Sequence, residues 1–474
     1  MIHTTPKETD SKQQRLLPLR EGGVFSWRLV AVLSLMGCLV VEVLLNLLPI
    51  DYDTPLIYWF FPVSLLLASQ MYFNQRFTRH FEIKLLLAFF AWGLVTVVLN
   101  YSRAPLTNSY YWFASISTVI FLCFSLPYAF EKADARRVLL LLAVVTFVAV
   151  VLYCAASLIA VFAKGVAAKA PSIFEDIFIT EGRLRIDDHP NRSAPAPALG
   201  VVLAGILLAG AKKGWQRVLV VLGAVVCFVP LALTVSRTAI LGAGFAIGFE
   251  VFLVLRDALR GRLRAVLRWL ICLAAAGVVV VAFYKGAALA AEVSSAALAQ
   301  QTQTQAQDTA ELEEVITRDL SDAESFNGRT DIWLGVWNGL MQNPKILLIG
   351  TGPTMTINAM LPYFPPTSAS GPFHNSFFDV LVALGIPGIL LLLVFFAVTA
   401  IAAIRLSLGK ASDQPLMVKM LPAVMILVFT EGMMEDEMFF STLLNVIWIW
   451  LMISAGFVLR LGKKEPAQQG TKDS

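Results

Sequence analysis

The sequence predicts an all-α, polytopic membrane protein of about 12 transmembrane helices. A large extracytoplasmic loop is expected to carry an amphipathic helix before the tenth span. Composition is the first reason: 57% of the 474 residues are hydrophobic and only 15% charged. The mean hydropathy of +0.72 lies outside the range of soluble globular chains. Length is the second, because apolar runs recur that reach or approach the roughly 20 residues needed to cross a bilayer core. The third is charge placement, since basic residues gather in alternate connections, as the positive-inside rule requires.

In chain order, residues 1–26 read as a disordered cytosolic tail, polar and basic through Lys7, Lys12, Arg15 and Arg20. The first apolar run, 27–48, exceeds a signal-peptide core and ends in Leu-Pro-Ile-Asp without a small-residue cleavage site. It is therefore expected to stay as a membrane helix. Further spans are expected at 56–73, 85–100, 110–130, 138–162, 195–211, 218–233, 238–255, 269–289, 376–404, 418–430 and 440–459. The helices within 27–163 form an N-terminal membrane region. Residues 164–405 form the region expected to act, with an outer loop at 285–374. The last two spans occupy 406–460, and 461–474 is a second cytosolic tail.

The loops support this count. Connections read as cytosolic carry Arg76 and Arg79; Lys132, Arg136 and Arg137; Lys212, Lys213 and Arg217; and Arg256 to Arg268. Later ones hold Arg405, Lys410, Lys419, Arg460, Lys463 and Lys464. The alternate connections, such as Asp51-Tyr52-Asp53 and Glu431-Gly432-Met433-Met434-Glu435-Asp436-Glu437, have no base. Both termini are thus expected in the cytosol. The net charge of +4 is scattered among short loops and gives no footprint for nucleic acid. Cys38, Cys123, Cys154, Cys227 and Cys272 all fall in apolar runs, away from disulfide, metal or nucleophile chemistry.

Two outer segments, 164–195 and 285–374, are too long for turns. Within the second, Ala296 to Gln307 reads equally as a polar helix or a disordered strip. An amphipathic helix follows, capped by Asn327 and stopped by Asn343-Pro344. Ile332, Trp333, Val336, Trp337, Leu340 and Met341 share one face, suited to a membrane surface. No internal repeat is visible, which weakens a transporter reading.

No nucleotide motif is present, and Gly350-Thr351-Gly352-Pro353 is better read as shaping the loop than as binding phosphate. Asp187-Asp188-His189 is a weak cation candidate, since adjacent residues rarely converge on one ion. The remaining candidates are cationic. Arg237 stands at the outer end of an apolar helix with no acidic neighbour in sequence, and Arg329 opens the amphipathic helix. Each guanidinium suits an anion such as phosphate, though snorkelling to lipid headgroups is the alternative for Arg237. Arg183, Arg185 and Arg192 crowd the first outer segment and either join such a site or pair with Asp187 and Asp188. His374 lies where polar loop meets apolar helix, and imidazole exchanges a proton near neutral pH. It either acts there or caps the helix. Gly385-Ile386-Pro387-Gly388 is expected to bend that helix a third of the way along.

Four stretches together resemble the bacterial O-antigen ligase and O-antigen polymerase superfamily, from Pro190 to about Arg405. They are His189-Pro190-Asn191-Arg192-Ser193-Ala194; Ser236-Arg237-Thr238-Ala239; Gly328-Arg329 with Ile332-Trp333; and His374-Asn375 followed by Leu381 and Gly385-Ile386-Pro387-Gly388. The resemblance implies a metal-independent, inverting glycosyltransferase of the membrane-embedded type, without cofactor. Its donor would be a glycan on undecaprenyl diphosphate, and its acceptor a glycan or lipid hydroxyl. Arg237 and Arg329 would bind the donor diphosphate, Arg192 more weakly, and His374 would activate or orient the acceptor. The expected location is a bacterial inner membrane with the active site outside. The rival is a flippase or transporter of lipid-linked glycans. The sequence counts against it through the scarcity of ionisable groups at span centres, with Glu42 and Glu250 read as lying toward span ends.

Overall fold

The computed structural model describes residues 27–45, 81–101, 132–163, 177–180, 183–186, 190–305, 329–353, 373–408, 415–435 and 444–460, with isolated positions between them. Two expected spans, 56–73 and most of 110–130, lie outside the described residues, as do both tails, Asn327 and Asp187 to His189.

The described chain is predominantly helical. Its elements are α1 (Trp27–Leu45), α2 (Phe81–Leu99) and α3 (Lys132–Phe162), then a hairpin of β1 (Ile177–Thr180) and β2 (Arg183–Ile186). Next come α4 (Pro190–Ser193), α5 (Pro195–Gly210), α6 (Gly214–Leu233), α7 (Arg237–Ala258) and α8 (Ala265–Gln305). The elements α9 (Arg329–Gln342) and α10 (Pro344–Ile349) precede α11 (Ser376–Leu408). Finally there are α12 (Leu416–Met420), α13 (Ala423–Gly432) and α14 (Leu444–Arg460). Six of the described helices are long and apolar enough to cross a membrane: α2, residues 136–162 of α3, α6, α7, residues 265–294 of α8, and α11. Shorter apolar helices occur at 31–43, 195–210 and 444–454.

Among the described residues, the fold departs from all-α at one place. β1 and β2 pair antiparallel, with Ile177 opposite Ile186 and Thr180 opposite Arg183. Arg-Leu-Arg-Ile alternates polar and apolar residues, Ile-Phe-Ile-Thr is apolar up to its last residue, and Glu181-Gly182 stands between them in the sequence. The hairpin packs against α3, α4 and α6.

Two helices form the centre. Residues 444–454 of α14 are buried on every side, Trp448 and Trp450 included, as expected of a helix apolar all round. Trp448 donates its indole N–H to Thr146 Oγ1 (3.2 Å), and Trp450 donates to the Phe439 carbonyl (3.0 Å). The other centre is α5, against α3, α6, α7 and α13. In lipid, close packing of small residues replaces water-driven burial. A Cβ on Gly200 of α5 would stand 2.7 Å from Cys227 Sγ and 2.8 Å from Val150 Cγ1. Glu250, fourteenth of the 22 residues in α7, packs its carboxylate against Gly205 of α5 and is buried. The reading of Glu250 near a span end is thereby corrected, and it no longer counts against a transporter.

α8 runs as one helix from Ala265 to Gln305, so the polar strip is helical from Ala296 to Gln305, its last two residues lying outside the described part. At 1.5 Å per residue its length is about 60 Å, twice the roughly 30 Å hydrocarbon core.

The bend in α11 falls at Gly385 (φ 66°, ψ −171°), as expected. Pro387 has no N–H to give, so carbonyls before it need other donors. They find them in the Gly350-Thr351-Gly352 turn and in α2. Thr351 N–H donates to Val382 O (2.9 Å), Gly352 N–H to Ala383 O (2.9 Å), and the Trp92 indole to Leu384 O (2.6 Å). The two-glycine turn therefore shapes the loop, docking α10 onto the bend.

Candidate active site

Glu435 is the residue that gathers the site. It lies just past the C-terminal end of α13, buried, with its N–H donating to Glu431 O (2.8 Å). Its carbonyl accepts from both the N–H (3.0 Å) and the hydroxyl (2.8 Å) of Ser376, the first residue of α11. The backbone is thus fixed at both ends, and the carboxylate is aimed among four other segments. Oε1 accepts from Arg329 Nη2 (2.6 Å) and Asn191 Nδ2 (2.9 Å), with Thr238 Oγ1 at 3.4 Å. Oε2 faces His374 Nδ1 at 3.6 Å, an electrostatic contact slightly beyond hydrogen-bond length.

Local sequence explains each arrival. Asn375, not His374, caps α11: its Oδ1 accepts from the N–H groups of Phe377 (2.9 Å) and Phe378 (3.2 Å). Its Nδ2 donates to Met433 O (3.0 Å), tying the cap to the Glu435 turn. His374 takes a left-handed conformation (φ 49°) immediately before this cap, and its imidazole faces Glu435. The Trp333 indole donates to the carbonyl of Phe373 (3.0 Å). One turn of α9 therefore sets Arg329 and the histidine loop together. The Phe377, Phe396, Phe429 and Phe439 rings pack beneath, with centroids 4.8–5.6 Å apart in the pairs that touch.

The amphipathic helix is less simple than its sequence pattern. Ile332, Val336 and Leu340 are buried and Trp333 half-buried, whereas Trp337 and Met341 are each 46% exposed. The single apolar face splits into a packed part and an open part.

Burial alone would push the Glu435 carboxyl up, yet the His374 imidazole and the Arg329 guanidinium hold it below the usual carboxylate range. The result is a buried carboxylate between two cationic or cation-forming groups.

Arg237 begins α7, half-buried, directly after Val235 in a left-handed conformation (φ 51°) and Ser236. A β-branched residue in that conformation is a true outlier, and such strain clusters at functional sites. The neighbour of Arg237, Thr238, reaches Glu435; Arg237 itself starts the helix one residue away. The side chain of Arg192 is outside the described part, though its backbone lies in α4. Arg183 turns toward the site: Nε donates to Thr234 O (2.8 Å) and Nη2 to Asn191 Oδ1 (2.8 Å). Glu435 was legible only as part of a loop without bases. The signal pointing further was its place: acids one helical turn apart after an apolar helix, in a chain whose Arg237 lacks a nearby acid.

Residues 222–393 match the O-antigen ligase family model. That match places the segment in the O-antigen ligase and polymerase superfamily expected from its motifs. With its apolar helices, the protein is an integral membrane protein with an O-antigen ligase domain. No curated protein matches the chain. The matched O-antigen ligase segment contains Arg237, Arg329 and His374. Arg183, Asn191 and Glu435 come to the same place from outside it.

Proposed function

We propose that this protein transfers a glycan from undecaprenyl diphosphate to an acceptor hydroxyl at the outer face of a bacterial inner membrane. About 12 spans and cytosolic termini accompany this reading. The observation that carries it is the convergence of Arg329 and His374 on the buried Glu435 carboxylate. Nδ1 of His374 faces Glu435 Oε2, so Nε2 is the nitrogen that takes the hydroxyl proton. The acceptor oxygen attacks the anomeric carbon, and the bond from that carbon to the diphosphate oxygen breaks. Its electron pair leaves on the diphosphate. A single displacement of this kind inverts the anomeric centre. Glu435 stabilises the imidazolium that forms, as a buried carboxylate does in a histidine dyad.

Arg329 gives one N–H to Glu435, and a guanidinium with five donors can still grip a diphosphate. Arg237 is the second diphosphate ligand, with Arg192 a weaker one. Guanidinium charge fills the role a divalent ion plays elsewhere, so transfer is expected to persist in chelator. The test is product formation by reconstituted protein with a lipid-diphosphate glycan. Arg237→Ala and Arg329→Ala are expected to lose most transfer, and Arg329→Lys to regain little, because a point charge lacks the fork. Full activity in Arg329→Lys would contradict bidentate binding. A flippase would instead move the donor across the bilayer without cleaving it.

A further inference from the structure

We propose that Arg183, on the β-hairpin outside the matched segment, is a positioning residue for transfer, acting through Asn191. The proposal rests on the glycan-transfer reading above. Its basis is a continuous chain of hydrogen bonds into the site. Arg183 is 8% exposed, an unusual state for an arginine. One arm of its fork donates to the carbonyl of Thr234, the residue before the left-handed Val235 from which α7 and Arg237 are launched. The other arm donates to Asn191 Oδ1, and Asn191 Nδ2 donates onward to Glu435 Oε1. One guanidinium therefore braces the strained turn behind Arg237 and orients the carboxamide that holds Glu435 opposite Arg329 and His374.

The geometry assigns the direction of each bond. Arg183 can only donate, so Asn191 must turn its oxygen toward it and its NH₂ toward the carboxylate. Lysine could not serve both acceptors from one planar fork. The hairpin fixes the fork in place: Thr180 and Arg183 are register partners, and Leu184 next to it is fully buried. No substrate contact is needed for this role.

The isosteric change Asn191→Asp separates a relay from a strut. The new carboxylate would keep accepting from Arg183 but could not donate to Glu435, and would set a second negative charge beside it. The experiment measures kcat and acceptor KM for full-length reconstituted wild type, Asn191→Asp, Asn191→Leu, Arg183→Met and the Arg183→Met/Asn191→Leu pair. Amounts are normalised to folded protein by size-exclusion elution. Losing a hydrogen bond to a charged group corresponds to about 10-fold to 100-fold. Asn191→Asp is expected to lose that much in kcat with acceptor KM unchanged. The pair is expected to fall no further than the poorer single variant, since both act along one chain. Wild-type kcat in Asn191→Asp, or effects that multiply in the pair, would overturn the relay. A purely structural role would lower the yield of folded protein and leave its kcat unchanged. Arg329→Ala runs alongside as the control. If wild type itself forms no transfer product, the transfer reading fails; if wild type transfers and Arg329→Ala is inactive while Asn191→Asp is normal, the relay alone fails.

Discussion

At the scale of single residues, Glu435 orders the site by being buried and ionised together. Its low-lying carboxyl has a consequence for stability. A group whose folded value is depressed stabilises the fold fully above its ordinary value and loses that contribution as pH falls through the lowered one. In Glu435→Gln the contribution is missing at every pH. Melting curves in detergent are therefore expected to show wild type above Glu435→Gln at neutral pH, with the gap closing in acid. A gap that widens on acidification would contradict an ionised Glu435 in the folded protein. Sequence reasoning reached Arg329 and His374 because each sits at a readable boundary, a helix start or a loop–membrane junction. It missed Glu435 because a carboxylate in a short loop is ordinary until its partners, 61 and 106 residues away by numbering, are placed beside it.

Among the elements, the bend in α11 and the turn after α10 depend on one another. Gly350 (φ 75°) and Gly385 (φ 66°) both hold backbone that other residues adopt only under strain. A Cβ on Gly385 would stand 2.6 Å from Leu348 O and 2.8 Å from Gly350 N. A Cβ on Gly350 would stand 2.6 Å from Leu384 N. Alanine at either is expected to cost about 1–3 kcal/mol from backbone conformation alone, with the clash added. A lower melting temperature for both variants would be the reading; unchanged melting of Gly385→Ala would show that the bend tolerates a side chain. The bend was legible because glycine and proline announce it locally. The interlocking with Gly350 was not, since backbone donors leave no trace in side-chain pattern. The hairpin was passed over for a different reason. Each strand has only 4 residues, too few for alternation to stand out inside a polar loop.

For the whole molecule, the long apolar helices and the alternation of charge argue for one orientation in the membrane. α8 begins beside Arg264 and Arg268 and carries Gln303 about 50 Å along its axis. With the basic end inside, Gln303→Cys in a variant lacking the native cysteines is expected to react with an impermeant maleimide in intact spheroplasts. Protection there, with labelling only after lysis, would reverse the orientation. Span composition was readable because a bilayer imposes a length on every helix. The order in which distant helices surround α5 and α14 was not, because uniformly apolar faces do not specify their neighbours.

The most direct test of a histidine–carboxylate glycosyl-transfer site is turnover of purified, liposome-reconstituted His374→Ala on a lipid-diphosphate glycan, with chelator present. Removing a general base typically costs about 10²–10⁴ in rate. His374→Ala is expected to fall by that much while binding donor like wild type, with His374→Gln no better. Wild-type turnover in His374→Ala would contradict the account.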